Sequence, residues 1–168
     1  VRVYAASLDD HLYAVAPDGR MRWAHRTDGD ISSSPALGDD GTVYVGSDDG
    51  HVHALTRDGA LRWRASLDGY VRAPVALGRR GDVLAAVYGP RPRVVSLDAS
   101  DGTLRWSFSV TVSDSSEIGV ASGPLVDAAG NVYFGAHDDF VYSLTPEGEL
   151  RWVQRTGAVS CAIRFRLM

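Results

Sequence analysis

The chain has 168 residues, room for one domain with a sizeable core and too few for two. Hydrophobic residues make up 45% and charged residues 23%, and no apolar run approaches the roughly 20 residues of a membrane span, which excludes disordered and helical membrane-spanning classes. The net charge is -4, and the 17 basic residues, all arginine, alternate with aspartates without forming a cationic block for nucleic-acid phosphates.

The sequence opens at Val1 without an initiator methionine, as a mature form or an excised piece does, so a missing leader does not establish a cytoplasmic location. From Val3, VYAASLDDHLYAVA sets two apolar runs either side of a polar turn and predicts a hairpin; DGRMRW then leads into a strand closing on Trp23. SSSPALGDDG gives a short apolar run ending in glycine, and the order begins again. The second repeat therefore predicts four strands: A around Pro35, Ala36 and Leu37, B from Val43 to Ser47, C from His51 to Thr56 and D from Ala60 to Ala65. The third runs through RAPVALGRRG, VLAAVYGPRPRVVSLD and DGTLRW to Trp106, and the fourth through ASGPLVDAAG, VYFGAHDDFVYSLT and EGELRW to Trp152. The tryptophans are spaced by 40, 43 and 46 residues. After Trp152, the segment from Ala158 to Ile163 stands where a strand A is expected, able to pair with the first repeat and seal a ring. Ile163 there replaces Pro35, Pro74 and Pro124, and Arg164-Phe165-Arg166 departs from the earlier A to B turns. The single cysteine, Cys161, excludes an internal disulfide and a multi-cysteine metal site.

Four-stranded units at this period, with alternating apolar runs and no helical period, predict an all-β β-propeller of antiparallel blades, in one domain over residues 1–168. Asp18-Gly19, Asp58-Gly59, Asp101-Gly102 and Glu147-Gly148 join C to D, where glycine takes positive φ at no steric cost. Strand B is apolar on both faces, as a strand between two neighbouring sheets must be. Strand D, as Leu61-Arg62-Trp63-Arg64, predicts an outer edge with leucine and tryptophan on the buried side. Small residues recur at Ala14, Ala54, Ser96 and Ser143, and at Ala6, Gly46, Ala86 and Gly135, which places each indole across the floor of its own or the adjoining sheet as core.

Segments such as VYVGSDDGHVHALTRDGALRW resemble the PQQ-like repeat, the blade of quinoprotein alcohol dehydrogenases and of many non-catalytic relatives. The resemblance rests on the V-Y-V-G-S opening, the small residue before Leu55, Gly59, Trp63 and Pro35, and covers nearly the whole chain. It implies an extracytoplasmic setting, periplasmic, secreted or at the cell surface, and a propeller that usually closes with seven or eight blades. Four repeats then imply a partial propeller or two copies joining as an eight-bladed ring, ahead of a closed four-bladed monomer. The quinone-dependent members use a calcium ion, a catalytic aspartate and an adjacent cysteine pair. No such pair exists here, so no catalytic residue and no cofactor is assigned, and a dehydrogenase fragment is the alternative to a binding or scaffolding module.

Acidic residues with histidine recur in the B to C turns as Asp9, Asp10 and His11, as Asp48, Asp49 and His51, and as His137, Asp138 and Asp139. Asp and Gly are ordinary turn residues and these copies lie on different blades, so no metal site is expected. Arg22, Arg62, Arg105 and Arg151 precede the tryptophans and predict an outward ring of charge that protects the edge strands. The third repeat is the exception. Its B to C turn is Tyr88-Gly89-Pro90-Arg91-Pro92-Arg93, and its D to A connection is stretched from Thr111 to Ile118. Both emerge at one end of one blade, which selects Tyr88, Pro90, Arg91, Pro92, Arg93, Asp114 and Glu117 as the surface for a protein or other macromolecular partner.

Overall fold

A computed structural model of the chain describes residues 2–111, 119–120 and 122–157. The described chain is β-sheet throughout, in four sheets whose strands follow sequence order and pair antiparallel. The first holds β1 (Val3–Ala6), β2 (His11–Val15) and β3 (Met21–Arg26). The second holds β4 (Ala36–Leu37), β5 (Val43–Gly46), β6 (His51–Leu55) and β7 (Leu61–Ser66). The third runs β8 (Ala76–Leu77), β9 (Asp82–Val87), β10 (Arg93–Asp98) and β11 (Leu104–Ser109); the fourth runs β12 (Leu125–Val126), β13 (Val132–Ala136), β14 (Phe140–Leu144) and β15 (Leu150–Arg155). These are the predicted A to D strands of successive blades. The closing strand expected from Ala158 to Ile163 lies outside the described residues.

The core lies between the blades. Leu12, Val43, Val45 and Leu55 join blades 1 and 2; Val52, Ala54, Trp63, Val83, Ala85 and Val87 join blades 2 and 3; Leu84, Ala86, Val94, Val132 and Phe134 join blades 3 and 4. Residues 83, 85 and 87 therefore face one neighbour and 84 and 86 the other, the reason strand B carries no polar face. The end blades lack this cover on one side. The inner β9 is buried along its whole length, whereas β1 alternates between exposed and half-buried and β15 is exposed throughout.

Each indole docks on the following blade. Trp23, Trp63 and Trp106 donate Nε1–H to the carbonyls of Arg57, Ala99 and Pro146, each at 3.0 Å. The C to D turn glycine lies beneath the ring: Gly59 adopts φ +88°, and a Cβ there would stand 2.7 Å from Trp23. Ala14, Ala54, Ser96 and Ser143 pair directly with Trp23, Trp63, Trp106 and Trp152, so the small column makes room for the indole on its own sheet.

Strand D departs from simple alternation. In every blade one extra residue follows the strand's first residue, between the pairs Val15 with Met21 and Ala14 with Trp23 in blade 1 and their counterparts elsewhere. That residue is Arg22, Arg62, Arg105 or Arg151. The bulge uncouples the leucine from the tryptophan, and Leu61 is 48% exposed where alternation would bury it. The arginines are exposed on the edge strand as expected, and three of them also reach back into their own blade: Arg62 to the Asp40 carboxylate at 2.7 Å, Arg105 to that of Asp98 at 2.7 Å, and Arg151 to the Ser143 hydroxyl at 2.9 Å.

Candidate functional site

The B to C turns and D to A linkers gather at one end of the sheets, and the linkers are stitched into it. Ile31 and Val71 donate their backbone N–H to the Ser7 and Ser47 carbonyls at 3.2 and 3.1 Å; Tyr70 and Tyr88 exchange both backbone bonds at 2.9 and 2.8 Å; the His137 N–H reaches the Gly119 carbonyl at 3.1 Å. Each linker thus runs between the strand B ends of consecutive blades as a short bridging strand. The close approach needs small residues, in the column or in the linker: a Cβ on Gly46 would strike Val71, and one on the linker's Gly119 would strike the Tyr88 ring. The face is a hydrogen-bonded rim, not a set of independent loops.

Along that rim, Asp48, Tyr88 and His137 occupy equivalent positions in blades 2, 3 and 4. Arg72 links the first two. Its Nε donates to both Asp48 oxygens at 3.0 and 3.1 Å, and its guanidinium lies 4.5 Å from the Tyr70 ring centroid and 5.2 Å from that of Tyr88. The Tyr88 and His137 rings meet edge to face at 5.9 Å, and the His137 Nδ1 is buried without a hydrogen-bond partner. Pro90 and Arg91 are exposed beside this strip, Pro92 is buried, and Arg93 turns back to donate to the carbonyls of Leu67 and Arg91. The structure brings Tyr88 and the Pro90 to Arg93 loop to one place; Asp114 and Glu117 lie outside the described residues.

Sequence reasoning missed Tyr70 and Arg72, and read His137 only as part of a turn. The signal was present: the second D to A linker carries Tyr70-Val71-Arg72 where the first has Asp30-Ile31-Ser32. Linker pairing with the next blade is what converts that difference into a shared surface.

The second concentration of chemistry sits in blade 2 at the same end. Asp49 and His53, each with a side chain 4% exposed, meet at 2.9 Å between Oδ2 and Nε2. His53 Nδ1 lies 3.3 Å from His25 Nε2 on β3, and His51 Nδ1 lies 3.4 Å from Asp49 Oδ1. Burial pushes both His25 and His53 below the usual imidazole range, in His53 against the pull of Asp49. Burial opposes ionisation of Asp49, but the His53 contact and the N–H groups of Asp28 and His51 outweigh it and hold the carboxyl low. His25 and His53 were also missed, because the turn residues alone were read.

At the opposite end, an open groove of about 470 Å³ between blades 2 and 3 is lined by Asp40, Tyr44, Arg62, Asp82 and Asp98. Several of its polar groups are already paired: Arg62 with Asp40, Arg105 with Asp98, and the Ser96 hydroxyl with Asp82 at 2.9 Å.

A family model described as outer membrane protein assembly factor BamB matches residues 8–162. The chain belongs to this family. Curated proteins gave no match. Among solved structures, BamB from Moraxella catarrhalis superposes with a TM-score of 0.79 at 24% identity, over 92% of this chain and 46% of that one. The quinohemoprotein alcohol dehydrogenase from Comamonas testosteroni gives 0.77 at 16% identity over 92% and 33%, and a europium-containing methanol dehydrogenase 0.76 at 14% over 92% and 39%. The chain thus spans about half the BamB structure and less of the dehydrogenases. Family membership and fold agree with the PQQ-like repeat read from the tryptophan frame, and the dehydrogenase likenesses share the fold alone.

Proposed function

We propose that the chain is a non-catalytic propeller module, one domain over residues 1–168, that binds a protein partner through the loop-bearing face of its third blade. The observation that carries this reading is the strip from Asp48 through Arg72 and Tyr88 to His137, with Pro90 and Arg91 exposed beside it. Aromatic and arginine side chains held by stacking and by backbone pairing lose little entropy on association and are the residue types that anchor interfaces. The family description, an assembly factor for outer membrane proteins, fits a protein partner and an extracytoplasmic setting. No helix among the described residues is long and apolar enough to cross a membrane.

A photo-crosslinking side chain at position 91, in cell-envelope extract, tests the reading. The same partner should crosslink there and not from position 79 at the opposite end, and the Tyr88→Ala, Arg91→Ala double variant should lose its capture while staying folded. Equal capture by the double variant would place binding elsewhere. The dehydrogenase likenesses favour a second reading, a piece of a quinone-dependent enzyme. Titration with pyrroloquinoline quinone and calcium separates the two: stoichiometric binding with dye reduction would sink the scaffold reading.

A further inference from the structure

Blade 2 departs from blades 1 and 4 at one position. The carboxylate at the matching place of the B to C turn is Asp9, Asp49 or Asp138, and the residue four places on, on strand C, is Tyr13, His53 or Tyr142. In blades 1 and 4 a phenol closes the carboxylate: Tyr13 donates to Asp9 at 2.7 Å, and Tyr142 donates to Asp138. The fold asks for no more than that pair. Blade 2 replaces the phenol with an imidazole, keeps a second imidazole at His51, and faces them with a third, His25, from the neighbouring blade. Four of the five histidines of the chain, His11, His25, His51 and His53, thereby belong to blades 1 and 2.

We propose that Asp49, His51 and His53 bind a borderline divalent transition-metal cation, represented by Zn²⁺, through one carboxylate oxygen, His51 Nδ1 and His53 Nε2. His51 and His53 are two apart on β6 and share a face of the strand, with Asp49 in the turn that leads into it. One ligating atom from each of the three lies within 4.8 Å of the others; His53 Nε2 stands 2.9 Å from Asp49 Oδ2 and His51 Nδ1 3.4 Å from Asp49 Oδ1. Bonds of about 2.0 to 2.1 Å in a tetrahedral site set ligand atoms roughly 3.3 Å apart, so small side-chain shifts complete the geometry. Two imidazoles and one carboxylate suit zinc, copper or nickel; calcium and magnesium ask for six or more oxygens.

The surroundings match a metal ligand's needs. With the cation on His53 Nε2, the ring proton sits on Nδ1, where His25 Nε2 accepts it and fixes the ring. Arg64, paired with His53 across the strands, is the cation facing the cluster, and the ionised Asp49 offsets it. The site opens on the His51 side, whose side chain is 23% exposed, so a cation enters there and keeps its fourth position for water.

Titrating the untagged 168-residue chain with Co²⁺ tests the site. One equivalent should bring up intense visible d–d bands of low coordination number, which Zn²⁺ then removes. His53→Tyr puts in the residue of blades 1 and 4, so it should melt like the parent and yet show no bands and no Zn²⁺-dependent rise in melting temperature. His25→Leu should weaken binding by about 10 to 100-fold, the usual cost of losing a supporting hydrogen bond. Folded parent protein without bands, or His53→Tyr binding Co²⁺ as the parent does, overturns the proposal.

Discussion

Trp63 and Trp152 stand at the same place in their repeats and differ in what covers them. Trp63 is 8% exposed, bonded to the Ala99 carbonyl and seated on Gly102; Trp152 is 43% exposed. Trp63→Ala should cost about 3 to 5 kcal/mol, as removal of a large buried aromatic does. Trp152→Ala removes far less buried surface from the single chain and should cost about 1 kcal/mol or less there. Urea denaturation of the two variants measures the contrast, and equal losses would mean that the indole acts within its own sheet, not on the next blade.

At the scale of the element, the bulge in strand D ties its blade together. Arg62, the extra residue, crosses to the A to B turn and meets Asp40, whose carboxyl is held down to about 2 by the Thr42 N–H first, then the Thr42 hydroxyl and Arg62. A carboxyl depressed in the folded state adds stability above its ordinary value of 3.8 and loses it as the pH falls toward about 2. The melting temperature of Asp40→Asn should therefore lie below that of the parent at mildly acidic pH and converge with it across that window; a constant gap would show that packing, not ionisation, is what the substitution removes. This clamp was not legible in the sequence. Strands B and C, the glycine turns from C to D and the indole columns were, because each obeys a period or a turn preference repeated along the chain. The bulge obeys neither: Leu61-Arg62-Trp63 reads as plain alternation, and only the pairing of Leu55 with Leu61 and Ala54 with Trp63 reveals the inserted arginine. Of the candidate site, Tyr88 and its proline loop stood out as a break in the repeat, whereas Tyr70, Arg72 and the meeting of His25 with His53 arise between blades, where no local pattern speaks.

At the scale of the whole molecule, the two ends of the described arc are complementary. Three indoles find the C to D turn of the next blade, with Gly59, Gly102 and Gly148 under the rings. Trp152 has an open ring, and Gly19, in the Asp18-Gly19 turn of blade 1, has nothing within 4 Å of where a Cβ would stand. One copy thus offers the indole and the other the glycine turn. Two copies related by a twofold axis would make the contact twice and close eight blades, covering the exposed Val3, whose counterparts Val43, Val83 and Val132 are buried against the preceding blade, as well as the two indoles. In a solution of the 168-residue chain a second copy supplies the missing half of each contact, so we expect a dimer whose docking carbonyl for Trp152 is that of Pro17. Light scattering at low micromolar concentration should give twice the chain mass. Trp152→Arg, which puts a charge where the indole must dock, should return a folded monomer, and so should Gly19→Val, whose side chain would fill the seat in a backbone of φ +82°. A parent chain that stays monomeric, or a dimer indifferent to both substitutions, would show that the two open halves of the contact do not meet.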